Sequence, residues 1–161
     1  MKELMKRATD SLDLSYRHVR LLDIATVERA AKRIYSAGNI IIQVSAAKRM
    51  NIGSPFILLT DDTLLESKYA VISPKTDIEP EYLAAVLELA EPQWHHKYVG
   101  DNINIQMEAF KYLELNYHTN PDTRKFILAR QKALQHEIDA VEKQIAADKR
   151  LKEYMLNKLF A

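Results

Sequence analysis

The chain has 161 residues, 47% hydrophobic and 28% charged, enough for one domain with an appendage rather than two full domains. It contains no cysteine, which excludes a disulfide framework. It also lacks an apolar run of roughly eighteen residues and an apolar secretion segment in MKELMKRATD, so the sequence points to a soluble, cytoplasmic protein without a membrane span. The net charge of +1 hides an asymmetry: residues 1–60 sum to +5, residues 61–120 to −7 and residues 121–161 to +3. Such a distribution permits a basic face for a polyanion without a high overall pI.

In chain order, Leu4, Met5, Ala8, Leu12 and Leu14 suggest a short helix over residues 1–19. Residues 21–34 read as a helical turn leading into a strand. Ala37-Gly38-Asn39 marks a turn, and the β-branched run at residues 40–45 a buried strand. A polar loop follows at residues 46–54, then a strand at residues 55–60, a turn at Asp61-Asp62 and a third strand at residues 69–72 ended by Ser73-Pro74. Pro80 opens an amphipathic helix through Tyr82, Leu83, Val86, Leu87 and Ala90, expected to stop before Pro92. A second short helix is expected at residues 92–99, closed by Gly100. Residues 102–106 and 112–117 read as short strands, and residues 116–120 as a linker.

The remainder reads as one uninterrupted helix from Pro121 to Phe160, with Pro121 in the first turn and Asn120 as its cap. At ~1.5 Å per residue it reaches on the order of 55 Å, far beyond an average globular helix. Counting Ile127 as heptad position d places Leu134, Val141, Asp148 and Met155 at d, with Gln131, Ile138, Ile145, Lys152 and Leu159 at a. This narrow apolar seam needs a second helix, and Gln131, Asp148 and Lys152 interrupt it in ways that fix register and orientation.

Catalysis finds little support. Three glycines, Gly38, Gly53 and Gly100, cannot assemble a phosphate-cradling loop or a dinucleotide turn, so no cofactor is expected. The histidines are scattered, and the adjacent His95 and His96 diverge by ~100° on a helix rather than converging on a metal. Glu66-Ser67-Lys68 beside Asp61 and Asp62 mimics a nuclease arrangement, yet the acids lie too close in sequence to come from separate strands, and a solvated turn explains them. Binding chemistry is better represented. Gln43, Ser45, Lys48, Arg49 and Asn51 follow the first buried strand, and Asn102, Asn104 and Gln106 form a second polar group. Amide and guanidinium groups pair with base edges, while Lys and Ser serve phosphates. Arg29, Lys32, Arg33 and Tyr35 add basic and aromatic character upstream.

At these residues the sequence resembles the target recognition domain of a type I restriction–modification specificity subunit. The resemblance is carried by Leu22-Asp23-Ile24-Ala25, Val27-Glu28-Arg29-Ala30-Ala31-Lys32, Ile34-Tyr35-Ser36-Ala37-Gly38 and Ile41-Ile42-Gln43-Val44-Ser45-Ala46. Lys68-Tyr69-Ala70-Val71-Ile72, Tyr82-Leu83, Lys97-Tyr98 and Asn102-Ile103-Asn104-Ile105-Gln106, followed by Phe110 and Leu113, extend it in order. The long helix, with Ile138-Asp139, Leu151-Lys152 and its ending Met155-Leu156-Asn157-Lys158-Leu159-Phe160, resembles that family's spacer helix. The sequence departs from the family pattern at Ala46-Ala47-Lys48-Arg49-Met50, where Ser-Ala-Thr-Lys-Gly-Gln often follows the strand, and at Thr123-Arg124-Lys125, where a Pro-x-x-x-Gln helix start is common.

The resemblance implies an α+β fold: an N-terminal helical segment at residues 1–19, a small mixed recognition domain at residues 20–118, and a long coiled-coil-type helix at residues 119–161. It implies a half-size, non-catalytic subunit that reads one half of a bipartite site in double-stranded DNA. Its expected partners are DNA adenine methyltransferase subunits, with a restriction subunit as a further candidate. Pairing with an identical copy or with another specificity half would use Ile127, Leu134, Ile138, Val141, Ile145, Met155 and Leu159. The competing reading is a helix-mediated assembly or inhibitor protein that binds methyltransferase subunits without reading DNA.

Overall fold

The computed structural model describes residues 12–45, 56–102 and 104–160. The chain divides into two compact units, Met1–Arg124 and Lys125–Ala161. In order, the elements are β1 Tyr16–Arg20, α1 Leu21–Ile24, β2 Ala25–Arg29, β3 Arg33–Tyr35, β4 Ile40–Gln43, β5 Ile57–Leu58, β6 Thr63–Leu65, β7 Tyr69–Pro74, α2 Pro80–Tyr98, a 3-10 helix Met107–Tyr112, β8 Glu114–His118 and α3 Pro121–Phe160. This is the α+β architecture with a long C-terminal helix that the sequence leads one to expect.

The first unit is built on a four-stranded antiparallel sheet in the order β2-β7-β4-β5. Ile40, Ile41 and Ile42 of β4, and Ala70, Val71 and Ile72 of β7, are all buried. Both faces of these two strands are therefore covered, which is why they read as continuous apolar runs rather than alternating ones. Ile41 and Val71 join Ala30, Tyr35, Leu59 and Leu65 in one cluster, and alternation turns Ile40, Ile42 and Ile72 to the opposite face. Two ribbons flank the sheet, β1 with β8 and β3 with β6, both antiparallel. Gly38, at φ +89, makes the turn before β4, where its amide donates to the Leu59 carbonyl; a side chain would be strained in that conformation.

Several elements differ from expectation. Residues 16–19 belong to a strand and not a helix, because β8 pairs with them from Tyr16↔His118 to Arg20↔Glu114 and a ladder outweighs weak helical periodicity; residues 1–11 lie outside the described part. The helix from Pro80 does not stop before Pro92 but runs through it to Tyr98. Proline removes one backbone donor, yet Trp94, two residues later, is buried between Phe56 and Phe110, and its indole donates to the Ala109 carbonyl at 2.8 Å. That packing carries the helix past the defect. The strand expected at residues 102–106 is absent from its described residues, where the backbone bond from Ile105 N–H to Val44 O at 2.8 Å ties the segment to the residue after β4 without a ladder. The following segment begins as a 3-10 helix and becomes strand only at Glu114. Thr63–Leu65 is a further strand, β7 extends through Pro74, and β5 covers only two residues.

The start of α3 belongs to the first unit. Asn120 Oδ1 accepts the Asp122 amide at 2.9 Å, the expected cap. Thr123 and Arg124, the departure from the family's helix start, are the buried residues of α3. Thr123 donates its hydroxyl to the Asp13 carbonyl at 2.7 Å. Arg124 grips Glu79 with two bonds, Nε to Oε2 at 2.9 Å and Nη2 to Oε1 at 3.1 Å, and donates Nη1 to the His118 and Thr119 carbonyls, each at 3.0 Å. Burial, the largest single influence, works against its charge, but the Glu79 bonds together with the charge interactions with Tyr117, Glu79 and Tyr82 raise the pKa of the guanidinium. From Ala129 to Phe160 every side chain of α3 is exposed.

Candidate nucleic-acid interface

One end of the sheet gathers polar side chains that are remote in sequence. β2 ends at Arg29, β4 ends at Gln43, and β7 begins at Tyr69, which lies opposite Gln43 while Arg29 lies opposite Ala70. Arg29 donates Nε to the Ser67 carbonyl at 2.7 Å and Nη2 to the Ser45 hydroxyl. The amides of Val44 and Ser45 donate to the Lys68 carbonyl at 2.8 and 3.2 Å, and Gln43 Nε2 donates to Ser45 O at 3.0 Å. Lys68 lies beside this end with its ammonium 5.4 Å from the Tyr69 ring centroid. The bond from Ile105 N–H to Val44 O then brings the later polar group alongside.

Gln43, Ser45, Asn104 and Gln106 thus share one sheet end, the last two exposed. Asn102 serves a different purpose: its amide donates to the Val99 carbonyl at 2.9 Å and holds the turn after α2. Lys48, Arg49 and Asn51 lie outside the described residues. As candidate chemistry in the sequence, Arg29 stands only as upstream basic character and Lys68 only within the Glu66-Ser67-Lys68 triplet. Their signal is register, since each sits where a strand of the sheet meets this end. Arg33, by contrast, is engaged with Glu28 at 2.6 Å and lies 4.7 Å over the Tyr35 ring; Tyr35 first and Glu28 second push its pKa up. Among the described residues no three His, Asp or Glu side chains are grouped to hold a metal ion, and no helix is long and apolar enough to cross a membrane.

On the second unit, Leu134, Ile138, Val141, Ile145, Met155 and Leu159 are all exposed, whereas Ile127 is half-buried. A shallow groove near the end of α3 is lined by Leu151, Met155, Leu156 and Leu159 with Asp148 and Lys152.

No family model matches the sequence, and no curated protein matches it. Solved structures do. A chain from a structure described as the basis of complex assembly and conformational transition of the type I R-M system aligns over 97% of this chain and 50% of its own, with TM-score 0.69 at 14% identity. The HsdS subunit from Thermoanaerobacter tengcongensis aligns over 83% of this chain and 40% of its own, with TM-score 0.61 at 13% identity. The type I restriction-modification system S subunit from M. genitalium covers 98% and 49%, with TM-score 0.61 at 12% identity. The fold is that of a type I specificity subunit. The chain spans about half the length of the specificity-subunit chains it matches. At such low identity the likeness resides in the arrangement of elements, the sheet, its ribbons and the long helix, rather than in shared side chains.

Proposed function

We propose that this chain is the DNA-reading component of a type I restriction–modification assembly. It contacts one half of a bipartite site with the sheet end at Arg29, Gln43, Ser45 and Gln106, and with Lys48, Arg49 and Asn51. Its long helix pairs with a second specificity unit, identical or different, and docks DNA adenine methyltransferase subunits; a restriction subunit joins through the same assembly. The chain itself is non-catalytic and contributes recognition. The observation that carries this reading is the convergence of two sequence-distant polar groups at one sheet end, brought together by the Ile105–Val44 bond, on a specificity-subunit fold. A cationic edge with exposed amides suits phosphate positioning together with base-edge readout.

Co-expression with type I methyltransferase subunits, followed by mapping of methylated adenines, tests the proposal. Methylation at one defined sequence is expected, and it should disappear in the Lys48/Arg49/Asn51 triple alanine variant while the subunits still co-purify. Binding of DNA should also weaken steeply with salt, as phosphate contacts release counterions. A stable complex with methyltransferase subunits that neither binds nor methylates DNA would replace this reading with that of an assembly or inhibitor protein.

A further inference from the structure

A guanidinium carries five N–H donors in one plane, with a side-on pair formed by Nε and Nη2 and an end-on pair formed by Nη1 and Nη2. Arg29 commits the side-on pair within the protein: Nε donates to the Ser67 carbonyl at 2.7 Å and Nη2 to the Ser45 hydroxyl. No described residue takes the end-on pair, and the side chain is exposed. We infer that Arg29 reads a guanine in the half-site through its major-groove edge, with Nη1 and Nη2 donating to O6 and N7. The assignment rests on the proposed DNA-reading role and names the base that this side chain selects.

Both tethers are themselves held. The Ser45 amide donates to the Lys68 carbonyl at 3.2 Å, and the Ser45 carbonyl accepts Gln43 Nε2 at 3.0 Å. Ser67 lies in the turn between β6 and β7, which the Tyr69 amide closes on the Glu66 carbonyl at 3.1 Å. Arg29 is paired with Ala70 in the ladder of β2 and β7, and the next amide, that of Ala30, donates to the Tyr69 carbonyl at 2.9 Å. The root of the side chain and both of its acceptors thus belong to one sheet, so the direction of the open fork is set before DNA arrives. Arg33 offers the contrast. Its Nη2 is engaged by Glu28 at 2.6 Å, and its guanidinium lies over the Tyr35 ring. Glu28, the acid next to Arg29 in sequence, is occupied by that pair, and strand alternation turns it to the opposite face from Arg29.

A phosphate asks only for positive charge, and the exposed Lys68 beside this end supplies it on a flexible stem. An arginine fixed along one edge discriminates where the acceptor pattern is equally fixed. Guanine offers two acceptors, O6 and N7. Adenine offers N7 beside an N6 donor, which would oppose one N–H of the fork; cytosine offers a donor, and thymine one acceptor beside its methyl group. Guanine alone accepts both N–H groups. Ser45 is then a positioning residue that acts through Arg29.

Mapping of methylated adenines, for the full chain co-expressed with type I methyltransferase subunits, gives the half-site. A guanine at one fixed position is expected in it. Arg29→Ala and Arg29→Lys should each make that position degenerate while the rest of the half-site is kept, since lysine retains the charge and lacks the fork. In binding measurements on the assembled complex, replacing the G·C pair by A·T should weaken the wild type by about 5- to 150-fold. Replacement by 7-deazaguanine, which pairs normally but has no N7 acceptor, should weaken it by less, and neither change should affect the Arg29→Ala complex. Ser45→Ala should reduce discrimination at that position with the salt dependence unchanged, and Ser45→Thr, which retains a hydroxyl, should preserve it. If Arg29→Ala fails to assemble, Arg29→Lys decides alone. A half-site without guanine overturns the assignment. So does an Arg29→Ala variant that weakens all sequences alike and is rescued by Arg29→Lys, because Arg29 would then meet a phosphate. Methylation of one defined sequence regardless of Arg29 overturns it while the DNA-reading proposal stands, whereas a wild-type complex that does not bind DNA removes both.

Discussion

Leu83 and Leu134 are the same side chain on two helices of one chain, yet Leu83 is 1% exposed and Leu134 is 42% exposed. Within the first unit, apolar residues of α2 meet the aromatic cluster and β8, and its polar groups find partners in the same unit: Tyr82 with His118, Arg124 with Glu79, Trp94 with Ala109. Within the second unit, apolar residues at helical spacing remain in water after folding. The difference separates side chains that stabilise the unit from side chains that await another molecule. Composition alone does not make that distinction, because a core stripe and a docking stripe use the same residue types.

Substitutions should respect this division. Tyr82→Ala is expected to have the largest effect, about 4 kcal/mol lost from urea unfolding of the full chain, as a fully buried aromatic is removed. Arg124→Ala should cost about 3 kcal/mol, because Glu79 and the carbonyls of His118 and Thr119 lose their shared donor. Ile138→Asp with Val141→Asp should leave the unfolding of the first unit within about 0.5 kcal/mol of wild type, as surface changes do, while light scattering shows a monomer. A large loss of first-unit stability from that double variant would break the comparison.

The smallest expected effect is a pH dependence centred on His118. Its amide donates to the Tyr82 oxygen at 2.9 Å, and the Tyr82 hydroxyl lies 2.8 Å from its Nδ1. Donation from Tyr82 requires Nδ1 to be unprotonated. Burial lowers the His118 pKa from its model-peptide value of 6.5, with Asp13 opposing, so the unfolded chain takes up the proton first. The sign follows: this contribution is complete above about pH 6.5 and is lost as pH falls through the lowered value. Comparing the pH dependence of melting between wild type and His118→Asn should show a shallower acid limb in the variant.

Legibility followed the range of the interactions. The Ile40-Ile41-Ile42 run, the Asn120 cap and the forty-residue helix rest on local pattern, and each was readable from neighbours in sequence. β1 was not, because its ladder partner lies at the far end of the unit, and Val19 and Tyr16 say nothing of Leu115 or His118. Pro92 misled because the packing of Trp94 between Phe56 and Phe110 is invisible until the fold is formed. At the sheet end, residue types identified Gln43, Ser45 and Gln106, but Arg29 acquired its place through strand register, reaching Ser45 and Ser67 across the sheet. Thr123 and Arg124 stand out in sequence only as a departure from the family's helix start, whereas their side chains are buried and hold that start in place.

The pairing of β1 with β8 has a consequence for synthesis. Tyr16 is matched with His118, so the ribbon cannot close until nearly the whole unit has left the ribosome. At roughly 5–20 residues per second, the first strand waits on the order of 5–20 s with its hydrogen-bonding edge unpaired, long after a local turn or hairpin would have formed. Completion of the nascent unit is therefore timed by its last strand, and a ribosome stalled before Glu114 would hold a chain whose sheet residues are all present but whose first strand has nothing to pair with.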